Sequence, residues 1–134
     1  NIHCSERNKE VTTNLVNTIG ITKWIENEDD MHAVTALSGS GPAYLFHLVE
    51  AMTEAGISCG LDKSMAEQLA RETVIGSAKL LEQHRNISIK DFREQVTSKK
   101  GTTEAALDIL MKNNAFSSLM KDAIQNAKKR SKNL

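Results

Sequence analysis

The sequence is poor in the residues that other fold classes need. Aromatic side chains make up only 4% of its 134 residues, and proline occurs once. Few aromatics and a single proline are atypical of β-sandwiches, which have many strands and many turns. Apolar residues instead recur at helical spacing along most of the chain. The composition and the spacing together predict an all-α protein.

The sequence also has only two cysteines and no net charge. Cys4 and Cys59 lie far apart without paired spacing, which indicates neither a disulfide framework nor a zinc site. His3 beside Cys4 is a candidate pair of metal ligands. The four histidines, however, show no metal-ligand spacing, and no metal site is predicted. Seventeen basic and seventeen acidic residues cancel, which argues against nucleic acid as a partner. With no long apolar run and no leader pattern, we expect one cytoplasmic protein without a membrane partner.

The periodicities predict a multi-helix bundle preceded by a short helix-strand arm. In the arm, a helix over 10–19 leads to a single strand over 21–25. A lone strand cannot form a sheet, so it is expected either to pack on something missing from this chain or to pair with a partner chain. The predicted bundle helices cover 29–37 (capped by Asp29 or Asp30), 40–55, 62–83 (beginning at Asp62 or Ser64), 88–96, 102–111 and 116–129.

Small residues form a stripe along the predicted helix over 62–83. They recur at helical spacing, as Ala66, Ala70, Thr73 and Ser77. Such a stripe lets a second helix axis approach closely, although the same residues also occur as ordinary helix filler.

The segment from Leu37 to Tyr44 superficially matches a dinucleotide-binding fingerprint. Its Ser-Gly-Ser-Gly-Pro run contains two of the glycines, but Tyr44 stands at the position of the third. A side chain there would block close packing of a helix on a strand. We therefore interpret this segment as a tight corner between two helices, with Ser40 and Pro42 opening the second.

The segment from Val96 to Thr103 is the second candidate for chemistry, because it lies between two helices and opens the later one. Free backbone N–H groups at a helix start, near hydroxyls, suit a small carboxylate or phosphate. Lys99 and Lys100 would add attraction. The alternative is an ordinary capped turn, in which Thr102 or Thr103 caps its own helix.

These segments resemble pyrroline-5-carboxylate reductases. The run from Val34 to Tyr44 is similar to the opening of that family's C-terminal domain, and further matches follow in order up to Ser98, Gly101, Thr102 and Thr103. The resemblance covers about residue 29 to the C-terminus. It implies an all-α dimerisation domain with interlocked helices of two subunits. It also implies a preceding Rossmann domain that holds NADPH or NADH, whose hydride reduces 1-pyrroline-5-carboxylate to L-proline.

The resemblance also assigns site residues. It implies that the loop holds the substrate carboxylate with backbone amides, and that Thr103 places its hydroxyl near the ring nitrogen as the catalytic residue. Lys99 and Lys100 replace a proline and a glycine of the family's usual Ser-Pro-Gly-Gly-Thr-Thr, and Glu104 replaces an aliphatic residue. A lysine disfavours the positive φ angle that glycine permits. The substrate-binding residues transferred by position are Thr97, Ser98, Gly101, Thr102 and Thr103; no cofactor-binding residue is assigned.

The resemblance divides the chain into two parts. Residues 1–28 are interpreted as a remnant of the end of a Rossmann domain, and 29–134 as the helical dimerisation and substrate-binding domain. The chain is expected to form a homodimer or higher homo-oligomer and to be inactive alone, the cofactor domain being absent or supplied by a separate chain. The alternative is a non-catalytic helical dimerisation module that has lost the chemistry.

Overall fold

The computed structural model describes residues 4–134, in which all regular structure is helical and no β-strand occurs. The predicted all-α fold class is confirmed. Two compact units meet between Met31 and His32. The α-helices are α1 (Glu6–Val16), α2 (Met31–Val34), α3 (Gly41–Ser58), α4 (Lys63–Gln83), α5 (Ile89–Gln95), α6 (Thr102–Met111) and α7 (Ala115–Lys132).

The N-terminal unit consists of α1 and a segment folded back along it. The Ser5 hydroxyl caps α1 by accepting from the Asn8 amide at 3.2 Å, so the helix begins and ends earlier than predicted. The predicted strand over 21–25 is wrong, because a strand needs a neighbouring strand for its backbone groups and these residues have none. Instead the Trp24 indole N–H donates to Thr13 Oγ1 at 2.9 Å. His3 lies outside the described residues.

The predicted helix over 29–37 is divided into three short pieces. Asn27, rather than Asp29 or Asp30, caps a 3₁₀ turn over Glu28–Asp30, which leads into α2. A π-helical turn follows over Thr35–Gly39, in which the Ser40 amide donates to the Thr35 carbonyl at 2.9 Å. This turn contains one residue more than an α-helical turn. A pattern of 3.6-residue periodicity therefore predicts a continuous α-helix here and does not reveal the turn.

Helices α3 and α4 form an antiparallel hairpin. Ser40 precedes α3 and Pro42 lies in its first turn, as predicted, but α3 continues three residues further, to Ser58. Gly60, with φ of +100°, makes the connection. The Asp62 carboxylate caps α4 by accepting from the Met65 amide at 3.0 Å, which confirms Asp62 rather than Ser64 as the start.

The small-residue stripe of α4 is used in part. Ala66 and Ala70 are buried against α3, as close helix approach predicts. The hydroxyls of Thr73 and Ser77 instead donate to carbonyls one turn earlier in α4, and these residues stay exposed. The buried alanines lie toward the start of α4, beside the connection to α3.

The remaining helices, α5, α6 and α7, follow α4 along the chain. The Ser88 hydroxyl caps α5, and α6 has the predicted bounds. A 3₁₀ turn over Lys112–Asn114, with left-handed Asn113 and Asn114, leads into α7, which packs against α6 and the π-helical turn. The end of α7 is anchored by a 2.9 Å hydrogen bond between Ser131 Oγ and His32 Nδ1.

Candidate functional site

The predicted binding loop joins α5 to α6. Its first site residue, Thr97, follows the end of α5. The Thr97 hydroxyl donates to the Arg93 carbonyl at 2.5 Å, and the Thr97 amide donates to the Glu94 carbonyl at 3.1 Å. These bonds satisfy carbonyls that a helix end leaves open. The hydrogen bond of the Thr97 side chain therefore attaches the loop to the end of α5.

A tight turn follows over Ser98 to Gly101. The Gly101 amide donates to the Ser98 carbonyl at 3.0 Å, and Lys100, the third residue of the turn, has φ of +60°. A type II turn places a positive φ at this position and usually has glycine there. Lys100 adopts the positive φ that lysine disfavours, so the replacement of glycine does not abolish the turn.

Gly101 is required by its neighbour Ser98. A Cβ atom at Gly101 would collide with Ser98 Oγ and would lie 2.9 Å from the Ser98 carbonyl oxygen. The φ of Gly101 is −86°, an ordinary value, so the requirement is steric and not conformational. Any larger residue at position 101 would open the turn.

Helix α6 begins without a side-chain cap. Gly101 is its N-cap, and it has no side chain to accept from the first-turn amides. The alternative in which Thr102 or Thr103 caps its own helix is therefore wrong, because both lie inside α6. Thr102 is exposed and Thr103 is half-buried. The uncapped first turn leaves donors and the positive end of the helix dipole for an acceptor.

Glu104 supplies an acceptor that the sequence analysis did not anticipate. Its Oε2 accepts from the Lys100 backbone N–H at 2.6 Å, so the carboxylate reaches back over the turn. In the sequence, Glu104 stands out only as the replacement of an aliphatic residue of the family's loop. A glutamate at the third position of a helix is a known signal for reaching back to amides before the helix, and this signal could have revealed the bond.

The corner between α2 and α3 has no nucleotide-binding geometry. The Tyr44 hydroxyl donates to the carbonyl of buried Ala36 at 2.9 Å, which closes the π-helical turn. Since the described residues contain no β-strand, they do not form the strand, glycine turn and helix that hold a pyrophosphate. The same residues include no cluster of three or more side chains suited to a metal ion.

Comparison with known proteins identifies relatives of this chain. The family model described as pyrroline-5-carboxylate reductase dimerisation matches residues 28–134. A pyrroline-5-carboxylate reductase of Haemophilus influenzae is 42% identical over 105 residues, which are 78% of this chain and 39% of that protein. One of Pseudomonas aeruginosa is 38% identical over all 134 residues, which cover 48% of its length.

Solved structures give the same result. A pyrroline-5-carboxylate reductase of Coxiella burnetii superposes with a TM-score of 0.91 at 35% identity, covering 99% of this chain and 48% of that one. A Plasmodium falciparum pyrroline carboxylate reductase, solved with NADP bound, superposes with a TM-score of 0.82 at 28% identity, covering 98% and 49%. The chain thus spans about half the length of the relatives it matches. With 28–134 matched by the family model, the chain belongs to the pyrroline-5-carboxylate reductase dimerisation family.

Proposed function

We propose that this chain is the dimerisation and substrate-binding part of a pyrroline-5-carboxylate reductase, which reduces 1-pyrroline-5-carboxylate to L-proline. The observation that carries the proposal is the uncapped first turn of α6, which begins in the family's signature loop. A 1-pyrroline-5-carboxylate molecule has one carboxylate and one ring C=N bond. It therefore needs an anion site and a polar group near the ring nitrogen.

The carboxylate is bound by the backbone amides of Thr102 and Thr103, where the helix dipole favours an anion. Ser98 and Gly101 set the shape of the turn, and Thr97 fixes the loop to α5. Thr103 is the catalytic residue, its hydroxyl directed to the ring nitrogen. Of the two threonines it is the less exposed, which suits a group that acts in a partly dry site.

Dimerisation is supported by the apolar surface of the α3–α4 hairpin. Helix α4 packs against α3, and no other described helix packs on it to a comparable extent. A groove of about 890 Å³ runs along the hairpin, and Phe46 in it is 69% exposed. Other large apolar side chains of the hairpin are also exposed, namely Leu45, Ile57, Met65, Leu69 and Ile75. A second copy of the chain covers this surface in a homodimer or higher homo-oligomer.

The hydride donor, NADPH or NADH, is held outside residues 4–134, because these offer no pyrophosphate site. Residues 1–28 are a remnant of the end of a Rossmann domain. The rest of that domain lies before this segment in a longer polypeptide or is supplied by a separate one. Ile19 and Ile21 are 88% and 64% exposed, which suits a surface once packed on a sheet. The chain alone is inactive. The free thiols of Cys4 and Cys59 suit a cytoplasmic location.

A ligand titration tests the substrate site. The full chain is titrated with L-proline while the Thr102 and Thr103 amide resonances are followed by NMR. We expect saturable shifts confined to 97–104, which Thr103→Ala weakens. Thr73→Ala is the matched control, because the Thr73 hydroxyl donates only within α4. No shift at millimolar ligand, or equal loss in both variants, would contradict a substrate site in this loop.

The second candidate function is a non-catalytic dimerisation module. Lys99 and Lys100 favour it, since they replace the loop's proline and glycine. A chain that dimerises but binds no carboxylate, even when a Rossmann-domain partner is added, would support this candidate. Retention of Ser98, Gly101, Thr102 and Thr103 in their structural roles favours the reductase.

A further inference from the structure

The left-handed conformation of Lys100 needs a physical cause. A non-glycine residue at φ of +60° brings its Cβ close to the backbone, a conformation that costs about 1–2 kcal/mol. Only three non-glycine residues among those described have positive φ, and the other two are asparagines, which tolerate it. Asparagine has a short polar side chain that can form a hydrogen bond with the nearby backbone, whereas the long side chain of Lys100 does not.

Glu104 provides the missing stabilisation. Its carboxylate oxygen lies 2.6 Å from the Lys100 amide nitrogen, a short distance typical of a charge-assisted hydrogen bond. Glu104 itself is half-buried in the first turn of α6, so its position is set by the helix. The bond is made to the backbone of the one lysine whose conformation is unfavourable. It therefore ties the strained residue to a rigid element.

We propose that Glu104 is a positioning residue that compensates for the lack of a glycine at position 100. Its carboxylate holds Lys100 in the left-handed region and so keeps the turn over 98–101 closed. The closed turn in turn keeps the first amides of α6 open to a ligand. The last step rests on the proposed function of this loop; the coupling between Glu104 and Lys100 does not.

A double-mutant cycle on the full chain tests the coupling. Glu104→Leu removes the acceptor, Glu104→Gln keeps an acceptor without charge, and Lys100→Gly removes the need for it. We expect Glu104→Leu to lower the unfolding midpoint by about 5 °C. We expect a much smaller loss in the Lys100→Gly background and in Glu104→Gln. Glu82→Leu, exposed near the end of α4, is the matched control and should have little effect.

Two further readouts separate positioning from general stability. The Lys100 amide proton should exchange slowly in the parent chain and in Glu104→Gln, and rapidly in Glu104→Leu. With L-proline as the probe, Glu104→Leu should weaken binding roughly tenfold, the equivalent of about 1.4 kcal/mol, and Lys100→Gly should restore it.

The outcomes of these experiments separate the coupling between Glu104 and Lys100 from the proposed function of the loop. Additive effects of Glu104→Leu and Lys100→Gly on the midpoint would overturn the proposal. Tighter binding by Glu104→Leu would also overturn it, because Glu104 would then be a competitor of the ligand. Coupling in the midpoint and in amide exchange, with no L-proline binding in any variant, would leave Glu104 as a positioning residue and would contradict the proposed function instead.

Discussion

Gly56 of α3 faces Ala66 of α4 where the hairpin is tightest: a Cβ atom at Gly56 would lie 3.2 Å from Ala66 Cβ and 3.4 Å from Leu61 Cδ1. Two helix axes approach closely here because neither helix has a large side chain at the contact. The Leu61 amide, which donates to the Gly56 carbonyl at 3.1 Å, holds the connection onto the same site. The hairpin thus depends on one glycine opposite one alanine.

We expect Gly56→Val to destabilise the chain by about 1–3 kcal/mol, because the added methyl groups have no space beside Ala66. Chemical denaturation followed by circular dichroism measures the loss. Gly76→Val is the matched control, since a Cβ atom at Gly76 in α4 meets nothing within 4 Å. It should change stability by at most about 0.5 kcal/mol. Equal losses in the two variants would contradict the close approach at Gly56.

The junction of α6 and α7 depends on two consecutive left-handed asparagines. Asn113 and Asn114 have φ of +52° and +56°. Asn113→Ala should lower the free energy of unfolding by about 1 kcal/mol, because alanine tolerates this region poorly, whereas Asn113→Gly should be close to neutral. Asn126→Ala inside α7 is the control and should not destabilise by more than a few tenths of a kcal/mol. Denaturation midpoints that order alanine above glycine at position 113 would contradict the left-handed assignment.

The N-terminal unit has its own optical probe. Trp24 is the only tryptophan in the chain, and its indole N–H donates to Thr13 Oγ1. Thr13→Val should shift the Trp24 emission to longer wavelength and loosen the segment after α1 by about 0.5–1.5 kcal/mol. The unfolding of 32–134 followed by circular dichroism should be essentially unchanged. Thr12→Val, one residue earlier and exposed, should leave the emission as it is.

The exposed apolar groove predicts a concentration-dependent assembly. A dimer that buries Phe46 should show an unfolding midpoint that rises with protein concentration. Phe46→Glu should weaken dimerisation at least tenfold in analytical ultracentrifugation, because a carboxylate would be buried without a partner. Leu134→Glu is the control, since Leu134 is 91% exposed at the chain end. A parent chain that stays monomeric at high concentration would contradict the dimer.

Local signals in the sequence were sufficient for most helix bounds. Ser88 before α5, Asp62 before α4 and Pro42 in α3 act through hydrogen bonds or steric limits within a few residues, so a sequence pattern contains them. The bounds of α6 were also predicted without error, although its N-cap Gly101 provides no side-chain hydrogen bond. Local rules were wrong over 29–37, because a π-helical turn closed by Tyr44 has no periodic signature.

The sequence predicts which loop and which residues form the candidate site, but it does not predict how they are arranged. The order of Ser98, Gly101, Thr102 and Thr103 along the chain was enough to locate the loop. It could not show that the Thr97 hydroxyl bonds to α5, that Gly101 is the N-cap or that Lys100 is left-handed. Each of these depends on where a short side chain points once both flanking helices are in place.

The sequence by itself determined the all-α class, most helix starts and the family, because these follow from periodicity, capping residues and ordered motifs. Only the tertiary structure decided that Ala66 and Ala70 are buried while Phe46 stays exposed, and that Glu104 bonds to Lys100. The physical reason is that periodicity gives the apolar face of a helix but not what covers it. Likewise, the sequence contains the charged residue Glu104, but only the folded backbone decides which group its carboxylate contacts.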